Sequence, residues 1–139
     1  MQAHVADDHP RVFTILSIAI TAALGGFLFG YDTAVINGAV SSIEATFQTS
    51  ASMLGLTVSS ALLGSAAGAL VAGWLADRFG RRPSMLLAAV MFLLSAVGSA
   101  LAPRLVDLVI WRVVGGVAVG FASVLAPAYI AEISPAAMR

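Results

Sequence analysis

Four stretches of this chain, residues 12–31, 45–76, 83–103 and 113–131, contain no charged side chain. Each reaches the roughly 19 residues that cross a ~30 Å hydrocarbon core at about 1.5 Å per residue. A helix at the surface of a soluble core would show charges on its outer face at every turn or so, and these windows show none. Lipid offers the backbone no hydrogen bonds, so a spanning segment is either a helix or part of a closed barrel. No period-two alternation is visible here, which leaves helices. The chain is therefore read as an all-α integral membrane protein with spans at about 12–40, 53–76, 84–102 and 106–130. Composition agrees: with 60% hydrophobic and 10% charged residues over 139 positions, polar side chains are too few to cover a soluble globule. The first apolar run is too long for a secretory signal and lacks an A-x-A site, so it is expected to remain as a span.

Charge sets the expected orientation. Arg11 lies on the polar tail 1–11, Arg78, Arg81 and Arg82 lie in the second loop, and Arg139 closes the chain. The first loop carries Glu44 and no basic residue, and in the third Arg104 is offset by Asp107. By the positive-inside rule the N-terminus, the second loop and the C-terminal end are cytoplasmic, and the other two loops face outward. The formal net charge is zero and carries no message about nucleic acid, and none is expected as a partner; cysteine is absent, so there is no disulfide or thiolate metal site. His4 and His9 belong to a solvated tail with no further ligand nearby, and no metal or cofactor is expected. Pro127 is expected to bend the end of the fourth span.

Small residues recur every fourth position on three spans: Ala22, Gly26 and Gly30, then Ser60, Gly64 and Gly68, then Gly116 and Gly120. Residues four apart share a helix face, and a face of small residues lets two backbones approach closely. These faces are expected to pack against neighbouring helices.

Two charges fall inside the spans, Asp32 in the first and Arg112 in the fourth. Each costs about 2.5–3.5 kcal/mol on insertion scales, so each needs a reason to be there. Counted from the expected span ends near Val40 and Leu105, Asp32 lies about 12 Å deep and Arg112 about 10 Å deep. Matched depth and opposite charge make them a pair. Two readings of it stand side by side. One is a salt bridge that pins two helices. The other is a relay, in which burial favours the protonated carboxyl, a neighbouring guanidinium favours the carboxylate, and moving the guanidinium switches between them. Phe29 falls on the same side of its helix as Asp32, where an aromatic ring suits either packing or the apolar face of a sugar.

The second loop reads Gly73-Trp-Leu-Ala-Asp77-Arg78-Phe-Gly80-Arg81-Arg82. As physics this is a basic, orienting loop with glycine for a tight turn. Its order resembles the loop between the second and third helices of the major facilitator superfamily. The segment Gly25-Gly-Phe-Leu-Phe-Gly-Tyr-Asp-Thr-Ala-Val-Ile-Asn-Gly38 resembles the first helix of the sugar porter family, and Arg112-Val-Val-Gly-Gly-Val-Ala-Val-Gly120 resembles its fourth. The block Pro127-Ala-Tyr-Ile-Ala-Glu-Ile-Ser-Pro-Ala-Ala-Met-Arg139 resembles the one that closes that helix.

This resemblance implies secondary active transport of a sugar across the cell membrane, coupled to protons, by alternating access. It implies that Asp32 takes up the proton and answers to Arg112, because members that only facilitate diffusion carry an amide in place of the acid. Phe29 matches a position lining the sugar cavity. Asp77, Arg78, Arg81, Glu132 and Arg139 match an inner salt-bridge network that locks the outward-facing state. The family has twelve helices in two six-helix bundles, so the chain is expected to be a fragment, four helices of the N-terminal bundle. Its partners would be sugar, protons, the lipid bilayer and the remainder of the transporter. No covalent step is implied, hence no enzyme. A facilitative uniporter, a drug–proton antiporter of the same superfamily, and a complete four-span dimeric membrane protein are the alternatives.

Overall fold

The computed structural model describes residues 9–133. Among them the chain forms four helices joined by tight connections: α1 (His9–Phe47), α2 (Ala51–Phe79), α3 (Arg81–Ala100) and α4 (Leu105–Ile133). The tail residues up to Asp8 and the end of the chain from Ser134, including Arg139, lie outside the described residues. Helices α2, α3 and α4 (to Tyr129) are long and apolar enough to cross a membrane, with mean hydropathies of 1.7, 1.8 and 2.0. With the apolar run of α1, they make an all-α membrane bundle.

Each connection has a local cause. After Phe47 the chain turns at Gln48, whose φ of 45° is left-handed and ends the helical ladder. Ser50 then caps α2 by accepting the Met53 amide at 3.4 Å. Between α2 and α3 stands the single residue Gly80, with φ 90° and ψ 160°, a conformation that side chains resist. Ser84 closes that corner by donating to the Gly80 carbonyl at 2.8 Å. Pro103 breaks the third connection, and Asp107 stands in the first turn of α4, where the helix dipole favours an acid.

α1, α2 and α4 overrun the expected spans at both ends, while α3 starts three residues early and stops at Ala100, two residues short. The largest difference is at α1, which starts at His9, inside the segment expected as tail, and continues to Phe47 instead of ending near Val40. Charge marks where a chain leaves hydrocarbon, whereas a helix stops only where its backbone ladder is broken. Residues 41–47 contain neither Gly nor Pro. At 39 residues, α1 is about 58 Å long at about 1.5 Å per residue, longer than a whole bilayer. Asp32 thus lies roughly four turns from the end of α1, farther than the span estimate gave. Pro127 lies within α4 and does not end it.

α4 is the central helix. Along one side it meets α2 backbone to backbone: a Cβ on Gly64 would run into Val113, one on Gly68 into Val117, one on Gly116 into the Ala61 carbonyl, and one on Gly120 into the Ser65 carbonyl. Along another side α3 docks, with Gly98 beneath the Trp111 ring and Ser95 against Gly115. Two apolar clusters fill the ends. Ala72, Ala76, Ala88, Phe121 and Leu125 join α2, α3 and α4 near the Gly80 end, and Ile36, Ile43, Leu54 and Leu108 join α1 to α2 and α4 near the Ser50 end.

The expectation for the first small-residue face is not met among the described residues. A Cβ on Gly26 or Gly30 would meet nothing within 4 Å. Among the described residues, the buried apolar side chains that join α1 to α2 and α4 are Ile36 and Ile43, toward its Ser50 end. Substitutions should separate the two classes of glycine. Gly68→Ala and Gly120→Ala each force the α2–α4 backbones apart and should lower stability by about 1–3 kcal/mol, whereas Gly26→Ala should leave the packing of these four helices unchanged. Thermal unfolding of the detergent-extracted protein checks this, and equal losses at Gly26 and Gly68 would contradict it.

Candidate functional site

Asp32 and Arg112 meet. Arg112 Nη2 donates to Asp32 Oδ2 at 3.3 Å, a long, charge-assisted contact that places the two groups level across the α1–α4 interface. The two ends differ in surroundings. The Arg112 side chain is 7% exposed and that of Asp32 42%. The arginine is held inside by its helix neighbours, while the carboxylate sits at the rim. Arg112 Nε is buried and has no hydrogen-bond partner among the described residues.

Both groups line a cavity of about 470 Å³ between α1, α3 and α4. Phe29 is on its wall, half-buried, as its position one turn from Asp32 predicts. Gly115 and Gly116, one turn past Arg112, also line it. The α3 residues Phe92, Ser95 and Ser99 complete that side of the wall, and the sequence reading did not single them out. The available signal was weak: Ser95 and Ser99 are four apart in an otherwise apolar helix, a spacing equally common in plain membrane packing. The volume accommodates a small polar ligand, with one ion pair and one ring offering the two kinds of contact such ligands need.

A second polar cluster closes the Gly80 end. Arg81 Nη2 pairs with Glu132 Oε1 at 3.0 Å, and Arg82 Nε donates to the Tyr129 hydroxyl at 3.1 Å. Glu132 and Tyr129 are three residues apart on α4 and share a face, so two successive arginines of the α2–α3 corner reach one stripe of α4. Tyr129 was not among the expected network residues; it lies within the block that suggested Glu132. Asp77 and Arg78 are exposed and make no ion pair among the described residues, and Arg139 lies beyond them.

These positions can be set beside known proteins. The family model for sugar (and other) transporters matches residues 18–139. The chain belongs to that family of transporters. It is 60% identical to a glucose transport protein of Synechocystis sp., over 90% of this chain and 27% of that protein. It is 43% identical to the D-xylose-proton symporter of Escherichia coli, over 90% of this chain and 31% of that protein, and 43% identical to the arabinose-proton symporter of Bacillus subtilis, over 97% and 29%. Among solved structures, the inward open conformation of the xylose transporter XylE from E. coli superposes with a TM-score of 0.80 at 44% identity, covering 89% of this chain and 34% of that one. The segment therefore spans about a third or less of the length of the relatives it matches. The four helices are part of the N-terminal bundle of the major facilitator fold.

The exposure of the Gly80-end pair limits its strength. Arg81 and Glu132 are 29% and 51% exposed, so water and salt screen their attraction. A double-mutant cycle over Arg81→Ala and Glu132→Ala, read from unfolding in detergent at low salt, should return a coupling of about 0.2–1 kcal/mol. That coupling should shrink as salt is raised. A salt-independent coupling would indicate a buried contact instead.

Proposed function

We propose that this chain is the first part of a proton-coupled sugar symporter of the cell membrane, with Asp32 as the group that takes the proton and Arg112 as its counter-charge. The observation that carries this reading is the 3.3 Å contact between a buried guanidinium and a carboxylate at the rim of a cavity. A fixed cation beside a reachable acid is what a switch needs. With the pair closed, the guanidinium faces the acid; a movement of α1 that opens the pair frees the acid to take a proton. The acid at position 32 favours symport over facilitated diffusion, and two of the relatives are named for proton symport of xylose and arabinose. Phe29 is assigned to the sugar side of the cavity. The Arg81–Glu132 and Arg82–Tyr129 contacts, with Asp77, Arg78 and Arg139, are assigned to a cytoplasmic latch, which places both ends of the chain in the cytoplasm.

The decisive substitution is Asp32→Asn in the complete transporter. It keeps the size of the side chain and an acceptor oxygen for Arg112 while removing titration. Sugar binding and exchange should survive, and accumulation against a gradient should be lost. Stoichiometric proton movement with sugar flux in the folded variant would place the coupling proton elsewhere.

The chain alone should insert into membranes without transporting. Alternating access needs two bundles rocking about a site between them, and four helices do not make even one. Labelled sugar should not accumulate in liposomes containing only this segment, with or without a proton gradient; gradient-driven accumulation would overturn the expectation that these four helices do not transport by themselves.

A further inference from the structure

The peptide that leads into Arg112 is gripped by α3 at two points. Ser95 Oγ donates to the carbonyl oxygen of Trp111. One turn along α3, Gly98 lies against the Trp111 indole, where a Cβ would overlap the ring. The fit is reciprocal, because Gly115 of α4 leaves the space that the Ser95 hydroxyl fills. In a helix the Trp111 carbonyl already accepts the amide four residues on, so the serine adds a lateral bond to an intact ladder. Ser95 is buried, at 6% exposure, and stands on the wall of the cavity that Asp32 and Arg112 share.

We infer that Ser95 is a positioning residue for the Asp32–Arg112 pair, fixing the rotation of α4 at Trp111 and thereby how firmly the guanidinium holds the carboxylate. The inference rests on the proposed assignment of that pair to proton coupling. Its physical basis is the length of the contact. At 3.3 Å the pair is at the long end of hydrogen bonding, so a shift of a few tenths of an ångström in α4 decides whether it is made. α1 cannot set that distance alone, since it meets α4 through a limited contact. Asp32 and Arg112 are the charged groups on the cavity wall, and α2 and α3 bring no charge to this level. Arg104 and Asp107 of the α4 start and Glu44 of α1 stand more than one helical turn away along their own segments.

The test compares Ser95→Ala, Ser95→Cys and Asp32→Asn in the complete transporter, measuring sugar uptake against pH and the sugar KM for exchange. Ser95→Ala should move the midpoint of proton-driven uptake to the alkaline side by about half a pH unit or more, because a loosened counter-charge lets the acid take its proton from a more alkaline medium. Its KM for exchange should stay within about twofold of the parent. Ser95→Cys keeps nearly the same shape and a weak donor, and should shift the midpoint less than Ser95→Ala. If Ser95→Ala does not reach the membrane, Ser95→Gly, which also lacks the hydroxyl, decides in its place: an alkaline shift supports the inference, and a profile overlaying the parent's overturns it. An unchanged profile in Ser95→Ala, or equal shifts in both serine variants accompanied by a raised KM, also overturns it. Should Asp32→Asn remain coupled, the pair's assignment falls and this inference with it. Should Asp32→Asn uncouple while the serine variants match the parent, only the role of Ser95 falls.

Discussion

Inside a bilayer the hydrophobic effect does not drive helices together, so association depends on how closely backbones can approach. In this bundle that approach is set by Gly64 and Gly68 of α2 against Gly116 and Gly120 of α4, where any side chain atom would overlap the facing backbone. Everything else follows from that contact. It makes α4 the axis on which α3 docks from another side, and it holds Arg112, one turn before Gly116, at a level where the surrounding backbone is already immobile. An arginine in hydrocarbon costs several kcal/mol unless its charge is met. Rigid packing gives it a defined place in which to be met.

The pair that results is asymmetric, and the asymmetry bears on what it can do. A salt bridge that only pins two helices would gain most with both partners buried and both helices closely packed. Here the guanidinium is buried and the acid is 42% exposed. A Cβ on the Gly26–Gly30 face of the helix bearing the acid would meet nothing within 4 Å among the described residues. In the relay proposed above, Arg112 is the group that stays charged and in place, and Asp32 the one that can be released.

How much of this was legible in the sequence follows from what each signal measures. The spans came from runs of uncharged residues, which report contact with lipid, and α1, α2 and α4 extend beyond them at both ends because hydrogen-bond ladders do not stop at the edge of lipid. The helix end at Phe47 lies seven residues beyond Val40, from which the depth of Asp32 was counted, and the pairing with Arg112 stands. The extra residues of α1 pack through Ile43 against Leu54 and Leu108 and do not alter which turns lie side by side. Small residues at four-residue spacing identify faces that can be approached without naming what approaches them. That is why Gly64, Gly68, Gly116 and Gly120 meet backbone while Gly26 and Gly30 meet none of the described helices. Ser95 was missed for a related reason: a serine in a membrane helix bonds its own preceding turn by default, as Ser59, Ser60 and Ser123 do here, and only the fold shows that this one bonds another helix.

The Gly80 end shows how a weak contact can still be structurally consequential. Arg81 and Arg82 leave a corner made of one residue whose φ of 90° suits glycine, so their backbone directions are set by the corner itself and the disorder that a longer loop would impose is avoided. Their partners, Glu132 and Tyr129, are presented on one stripe of α4 by helical spacing alone. Two modest, solvent-screened contacts then act between elements already oriented toward each other, so no loop-closure entropy is added to the side-chain entropy that an exposed ion pair costs. A latch between two conformations must be worth only a few RT, since a ligand can shift an equilibrium by no more than its differential affinity for the two states. For the latch proposed above, an exposed pair on a pre-set corner falls within that limit.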